Sequence, residues 1–464
     1  IDWKIIDNTA AEEQINLMLN SDSMPDAILG YGFDYSKVAR YGVQEGLFYN
    51  LADLLDYAPN WSALLSERPE LRAAITAPDG GIYGLPNLGD EGLYVPLRFY
   101  MNVHWLEQLG LEMPRTLDDL YSVLCAFRDN DMNGNGDKTD EIPWSGSWSE
   151  HWSERALILN AFGLVTCGEN MVLDYSSGAP ELAYIPYTDA YLDYLTYMNK
   201  LWNEGLLDPD MFTQTYTQVG ARILDNRVGM AGMDATVIAY PDDATAYESL
   251  YALTKDKDAT PTFPGAQAVS QLASFVISSS VDKETAATLL NFLDAAMTVD
   301  SYKLFKYGPE KGDEYDYWGY GLYFDPETNN FARKMPDGAT DEWSFRINYL
   351  TFWNFPGYVA TGSIKKEMEY AKANPDTTYG ILYKDGYRML KCFQESIDRQ
   401  SAYAVSPLPS FFMSESDLDR LSDLNIPLEN YVATMEANFI TGVEPLENFE
   451  SFREMLRSLN VEEY

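Results

Sequence analysis

Three short segments near the start decide the fold: Trp3-Lys-Ile-Ile6, Glu12-Glu-Gln-Ile-Asn-Leu-Met-Leu-Asn20 and Asp26-Ala-Ile-Leu-Gly30. The outer two are brief apolar runs, the second ending in glycine, and both read as buried strands. Across residues 9–20 the middle segment sets Ile15, Met18 and Leu19 on one helical face. Val43 to Leu55 leads into another helical stretch. A strand–helix–strand rhythm predicts an α/β fold with a mostly parallel sheet and helices on both faces. The pattern recurs downstream. Thr116-Leu-Asp-Asp119 is a capping-box start, followed by Leu117, Leu120, Tyr121, Leu124 and Phe127 at helical spacing. Ala273-Ser-Phe-Val-Ile-Ser278 reads as a core strand. Residues 283–297 form an amphipathic helix carrying Ala286, Leu289, Leu290, Leu293 and Met297, and the chain is helical again from Ser414 onward.

At 464 residues the chain exceeds one ordinary core, so two large lobes are expected. Its 46% hydrophobic and 22% charged residues mark a globular protein. No apolar run reaches the ~18 residues of a membrane-spanning helix. No signal peptide is visible, and the N-terminus reads as processed or trimmed. Pro/Gly/Asp-rich stretches near 78–92, 255–268 and 307–340 are the expected crossings between lobes. This places residues 1–115 and 265–330 in an N-terminal lobe, and residues 116–264 and 331–464 in a C-terminal lobe.

Asp and Glu outnumber Lys and Arg 72 to 32, a net charge of −40 that disfavours nucleic acid and anionic membranes as partners. The same charge predicts a soluble monomer and a neutral ligand. Three cysteines (Cys125, Cys167, Cys392) supply neither an even disulfide framework nor a C-x-x-C pair. With two histidines, His104 and His151, a His-based triad or zinc site has little material, and no Ser-centred elbow or Walker loop is present.

One loop carries its own chemistry: Asp131-Met-Asn-Gly-Asn-Gly-Asp-Lys-Thr-Asp-Glu-Ile-Pro143. Oxygen-bearing side chains alternate at Asp131, Asn133, Asn135 and Asp137, Gly136 follows in register, and Asp140-Glu141 closes the run. A Ca²⁺-binding loop of the EF-hand type places its ligands and its glycine this way. With Asp131 at position 1, Glu141 is position 11, one short of the usual glutamate, so Asp140 and Glu141 both stand as candidate ligands. Four carboxylates against Lys138 alone repel one another without a cation. The competing reading is a solvated Asx-rich turn. The ion expected is structural, because no neighbouring nucleophile or base would use a metal-bound water. Calcium also points outside the cell, where millimolar Ca²⁺ saturates even weak sites.

Several segments together resemble the extracellular solute-binding proteins of ABC importers. The closest branch is the large calcium-containing oligosaccharide type, which includes alginate- and fructooligosaccharide-binding members. In order, the segments are Asn16-Leu-Met-Leu-Asn20 with Pro25-Asp26; Tyr83-Gly-Leu-Pro-Asn87; Tyr100-Met-Asn-Val-His-Trp-Leu-Glu-Gln-Leu-Gly-Leu-Glu-Met-Pro114; the calcium loop; Trp202-Asn-Glu-Gly-Leu-Leu-Asp-Pro-Asp210; Arg227-Val-Gly-Met230; and Phe439-Ile-Thr-Gly442. The resemblance implies a two-lobe, periplasmic-binding-protein-like (type II) clamshell with hinge crossings. It further implies capture of a sugar in the cleft, delivery to ABC permease subunits, and lipid anchoring at the cell surface through a cysteine preceding this chain. The calcium loop is one residue longer than the commonest family version.

A sugar site needs flat aromatic faces for C–H surfaces and polar groups for hydroxyls, and 34 tyrosines and 10 tryptophans supply the faces. Ligands of doubly wound folds sit beyond the carboxyl ends of strands. Tyr31 and Asp34 follow the strand at Asp26, Trp148 and Trp152 follow the calcium loop, and Asp234 ends a strand after Gly229. Trp318 and Trp353 lie in irregular segments and complete the candidate set. Two other functions compete. A peptide or other non-sugar solute would need deep apolar pockets instead of open platforms. A secreted glycoside hydrolase would need two carboxylates ~5 to 9 Å apart, and no recognisable glycosidase motif is present. The expectation is a binding protein and not an enzyme.

Overall fold

Local signals in the sequence become helices where capping and periodicity agree. In a computed structural model of the chain, the helix Leu117–Asp129 opens on a reciprocal capping box. Thr116 accepts from Asp119 N at 3.1 Å, and Thr116 N donates to the Asp119 carboxylate at 3.1 Å. Ala11–Leu19 buries Ile15, Met18 and Leu19, and Lys283–Ala295 starts at Asp282, which accepts from Thr285 N at 2.8 Å. The structure describes residues 2–6, 10–21, 23–88, 99–148, 154–167, 170–176, 179–232, 246–265, 269–298, 323–325, 330–332, 373, 395–396, 398–405, 412–413 and 415–464.

In chain order the strands are β1 (Ala27–Phe33), β2 (Leu85–Leu88), β3 (Phe99–Asn102), β4 (Ile142–Ser145), β5 (Leu164–Thr166), β6 (Met171–Asp174) and β7 (Glu181–Tyr184). They continue with β8 (Val228–Gly232), β9 (Tyr247–Ser249), β10 (Phe263–Pro264), β11 (Val269–Ile277), β12 (Tyr323–Asp325), β13 (Asn330–Ala332) and β14 (Ala404–Val405). The chain forms two compact units. One comprises Ile1–Glu91, Gln267–Asp385 and Pro409–Asp419, the other Gly92–Ala266, Gly386–Leu408 and Arg420–Tyr464.

The first unit is built on the sheet β1–β11–β2, in which β11 runs antiparallel to both neighbours. Ala273, Phe275, Val276 and Ile277 of this central strand are all buried, so it reads as a continuous apolar run. Against it pack Trp61, Leu64, Leu71, Ile75, Leu290 and Leu293 from three helices, each contributing ~1.5–3 kcal/mol when fully buried. The buried Asp294 carboxylate closes the start of Pro59–Glu67 by accepting from Trp61 N at 2.9 Å and Asn60 N at 3.2 Å. In β1 the register shifts between Leu29 and Phe33, and Gly30 adopts φ +86° there, a bulge that a side chain would strain. Residues 2–6 are irregular instead of the strand expected at Trp3-Ile6. Trp3 is 53% exposed and Ile5 81%, and among the described residues the segment pairs with no strand.

The second unit holds a four-stranded sheet ordered β4–β8–β3–β9. β4 and β8 are parallel, while β3 runs antiparallel to β8 and β9. Among the described residues only β4–β8 and β10–β14 are parallel pairs, so the mostly parallel sheet is corrected to mixed and antiparallel sheets. A side chain at Gly229 would stand 2.4 Å from the Phe127 ring and 2.8 Å from Pro143 O, which explains the glycine in Arg227-Val-Gly-Met230. The long helix Glu415–Thr441 is fastened by buried Glu436, which accepts from Tyr191 Oη at 2.6 Å and Tyr194 Oη at 3.0 Å and lies 3.0 Å from Arg155. Asn199 donates to the carbonyls of Phe439 and Ile440 at 2.9 and 3.2 Å, just before Gly442 turns the chain at φ +76°. Among the described residues no helix is long and apolar enough to cross a membrane.

Candidate functional site

The parallel strands β4 and β8 end side by side, with Ser145 opposite Ala231. Open α/β sheets place ligands beyond such carboxyl ends. Past β4 the chain runs Gly146, Ser147, Trp148, and each residue is tied to a second loop. Trp148 N donates to Met211 O at 2.9 Å, Ser147 Oγ to Gln214 O at 2.7 Å, and Gln214 Nε2 to Gly146 O at 2.7 Å. Beneath them lies Asp208, fully buried, accepting from Ser145 Oγ at 2.5 Å, from Gln214 Nε2 at 2.9 Å and from Arg222. Burial alone would raise its carboxyl, but the bonds from Ser145, Gln214 and Arg222 prevail and hold it below the usual carboxylate range. The pinned loop carries a half-buried Trp148 whose ring centroid is 4.9 Å from Phe212.

Glu154, at the start of the helix Glu154–Ala161, is completely buried against Gly146, where an added Cβ would stand 2.0 Å from Oε1. Neither carboxyl oxygen completes a hydrogen bond among the described residues. Burial therefore pushes this carboxyl well above its ordinary value, and the nearby amides of Glu154 and Ser147, short of full hydrogen bonds, offset only part.

At the corresponding strand end of the first unit, Tyr31 lies within β1 and not beyond it, because the strand continues through the bulge to Phe33. Its ring meets Phe33 edge-on at 4.8 Å. Its hydroxyl donates to Glu12 and accepts from Lys37 Nζ at 2.6 Å. Lys37 closes the triangle on Glu12 at 3.0 Å. The Tyr31 hydroxyl is pushed up by burial and by Glu12, while Glu12 is held below its ordinary value by Tyr31 and then Lys37. Asp34 caps the turn Tyr35–Lys37, accepting from Lys37 N at 2.8 Å and Ser36 Oγ at 2.7 Å. Trp152, Asp234, Trp318 and Trp353 lie outside the described residues.

The Asp131–Glu141 loop folds as a ring of oxygens. Asp131 accepts from Gly134 N and from Gly136 N, both at 2.8 Å, as both glycines take positive φ. Asn133 accepts from Asn135 N at 3.0 Å, Asn135 from Asp137 N at 2.7 Å, and Asp137 from Thr139 Oγ1 and N at 2.6 and 2.9 Å. Thr139 thereby holds the Asp137 carboxyl below its ordinary value. Glu141 Oε1 accepts from Met132 N at 2.8 Å, while its Oε2 is buried without a partner. The Asp140 carboxylate stays within the loop, accepting from Asn135 Nδ2 at 2.9 Å and Asn133 Nδ2 at 3.4 Å, while Arg227 Nε donates to the Asp140 carbonyl at 3.1 Å. Among the described residues no group of three or more His, Cys, Asp or Glu side chains is poised as a cage. Loops of this type also draw on Asn, carbonyl and water oxygens, and the orphaned Oε2 of Glu141 fits a cation.

Sequence reasoning missed the Ser145–Asp208–Gln214–Arg222 cluster. Its one signal was the acid Asp208 directly following the apolar Leu206-Leu207.

No family model matches the chain. Over 237 residues, half of its length, it is 33% identical to 43% of the fructooligosaccharide ABC transporter substrate-binding protein FusA of Streptococcus pneumoniae. It is 28% identical to lipoprotein LipO of Bacillus subtilis over 48% of this chain and 42% of that one. These matches span less than half the length of either relative. Among solved structures, S. pneumoniae FusA in complex with kestose superposes with a TM-score of 0.73 at 24% identity, covering 100% of this chain and 90% of that one. The chain shares the fold of these solute-binding proteins, and half of its length is similar to FusA in sequence. An HMO-binding solute-binding protein from Bifidobacterium longum infantis matches with a TM-score of 0.72 at 21% identity, over 100% of this chain and 90% of that one. FusA has also been solved as an EF-hand mutant with fructo-nystose.

Proposed function

We propose that this solute-binding protein captures a neutral oligosaccharide outside the cell and delivers it to the permease subunits of an ABC transporter. The observation that carries the reading is Trp148. It is a half-buried indole beyond the parallel pair β4–β8, on a loop whose backbone is bonded in place. Such a ring offers a flat apolar face to sugar C–H groups at little entropic cost. The names of FusA and the Bifidobacterium protein support a saccharide ligand. The relative LipO supports lipid anchoring. A net charge of −40 favours a neutral sugar and a monomer. Asp208 is tied by four donors and Glu154 is buried against Gly146, which favours a binder over a hydrolase.

We assign a structural Ca²⁺ to the loop, with Asp131, Asn133, Asn135, Asp137, Asp140 and Glu141 as its candidate side-chain ligands. The ion neutralises the carboxylates and fixes the base of β4, and so the loop bearing Trp148. Thermal melting against a panel of neutral and acidic oligosaccharides, with Ca²⁺ and with chelator, tests both assignments. A ligand raises stability by RT ln(1 + [L]/Kd). One neutral sugar series should raise the melting temperature and be recovered intact, and chelator should lower the sugar-free melting temperature. Silence across the panel would point to a non-sugar solute, and breakdown of the sugar to a hydrolase. Indifference to chelator would leave the loop an Asx-rich turn.

A further inference from the structure

Trp148 does not stand alone. Phe212 lies 4.9 Å from it and 5.7 Å from Trp202, centroid to centroid, and all three side chains are half-buried. Aromatic residues of this unit that only fill the core are closed over: Trp105, Phe127 and Trp144 expose 1% or less. Phe212 is only half-buried although the residues on either side of it are bonded in place. Met211 beside it is fully buried, with Met211 N donating to Asp208 O at 3.0 Å. Thr213 N and Gln214 N both donate to Asp210 O, at 2.8 and 2.9 Å. The network under this turn is the one that holds Gly146, Ser147 and Trp148. Two loops are therefore clamped so that two rings sit side by side at the same strand end. In the same turn, Asp210 exposes 57% of its side chain while paired with Arg222, which leaves a carboxylate able to accept from a hydroxyl.

Resting on the saccharide reading, we propose that Phe212 is a second stacking position beside Trp148, so that this unit by itself holds two consecutive sugar rings. Trp202 also packs against Phe212, at 5.7 Å between centroids. The arrangement selects for chain length: a short ligand occupies Trp148, and each longer one adds the Phe212 contact. A pinned aromatic pair loses little freedom on binding.

The test is calorimetric titration with a length series, from monosaccharide to tetrasaccharide, of the sugar that stabilises the wild-type protein. Phe212→Ala should leave the affinity of the shortest ligand that binds unchanged and weaken longer ones by about tenfold. Phe212→Leu retains apolar volume without a flat face. It should show the same length-dependent loss at an unchanged melting temperature, whereas Phe212→Tyr should bind like wild type. Trp148→Ala should weaken every length. Equal losses at all lengths for Phe212→Leu would make Phe212 a mere support for Trp148 and overturn the proposal, as would no loss at any length, with the saccharide function intact in both cases. Failure of the wild-type protein to bind any saccharide would overturn both.

Discussion

The two strand-end sites treat their polar groups in opposite ways. In the first unit, β1 delivers Tyr31 and Asp34 to its end and then consumes them. The tyrosine hydroxyl is shared between Glu12 and Lys37, and Asp34 caps the next turn. In the second unit, β4 delivers Trp148 and leaves its ring half-open, while buried groups behind it absorb the loop's hydrogen bonds. Position beyond a strand marks where a ligand site is possible. The partners of each side chain then decide whether it is available. By that criterion we propose Trp148 over Tyr31 and Asp34 as a ligand contact, since the latter two are engaged in local bonds.

Substitutions can break this comparison, beginning with the largest effect. Asp208→Ala removes the common acceptor of Ser145, Gln214 and Arg222 and should cost about 3 kcal/mol of folding stability, read by denaturant unfolding, together with sugar affinity. Trp148→Ala should cost roughly 2–3 kcal/mol of binding, near a hundredfold in Kd by calorimetry, with folding little changed. If Trp148→Ala binds normally, the contrast between the two sites is lost. Asp34→Ala should reverse the pattern, lowering stability by about 1 kcal/mol through the missing cap while leaving sugar affinity at the wild-type value. A large loss of affinity there would restore Asp34 to the ligand site.

The carboxylates sharpen the same contrast through pH. Glu12 has a folded pKa below its ordinary 4.5, so the stability it contributes is present above that value and lost as pH falls through the folded pKa. Glu154 is the reverse. Its folded pKa lies well above 4.5, so the folded state binds the extra proton and stability declines as pH rises past 4.5 toward that raised value. Glu154→Gln keeps the shape without the charge. Melting curves should show the variant gaining on wild type from pH 4 to pH 7, a smaller effect than the substitutions above. A constant difference across that window would mean that Glu154 is ionised in the fold.

What was legible in the sequence was local. Leu117–Asp129 and Lys283–Ala295 announce themselves because cap and apolar stripe lie within one helix. The cation loop is readable because its candidate oxygens fall within eleven consecutive residues, Asp131 to Glu141. Strand direction was not, since β1 pairs with β11, far along the chain, and nothing near residues 27–33 records which way that partner runs. Trp3-Ile6 has a strand's composition without a strand's neighbour. Asp208 escaped notice for a related reason. Among 72 acids a buried one looks like any other, and its partners Ser145, Gln214 and Arg222 meet only after folding. The contact of Arg227 with the Asp140 carbonyl was likewise hidden, because the two residues are remote in sequence.

The most direct test is a crystal structure of the protein with Ca²⁺ and the oligosaccharide that raises its melting temperature most. The account predicts a sugar ring lying flat on Trp148 and a cation bound through the Glu141 carboxylate. A bound sugar with no contact to Trp148 would contradict it.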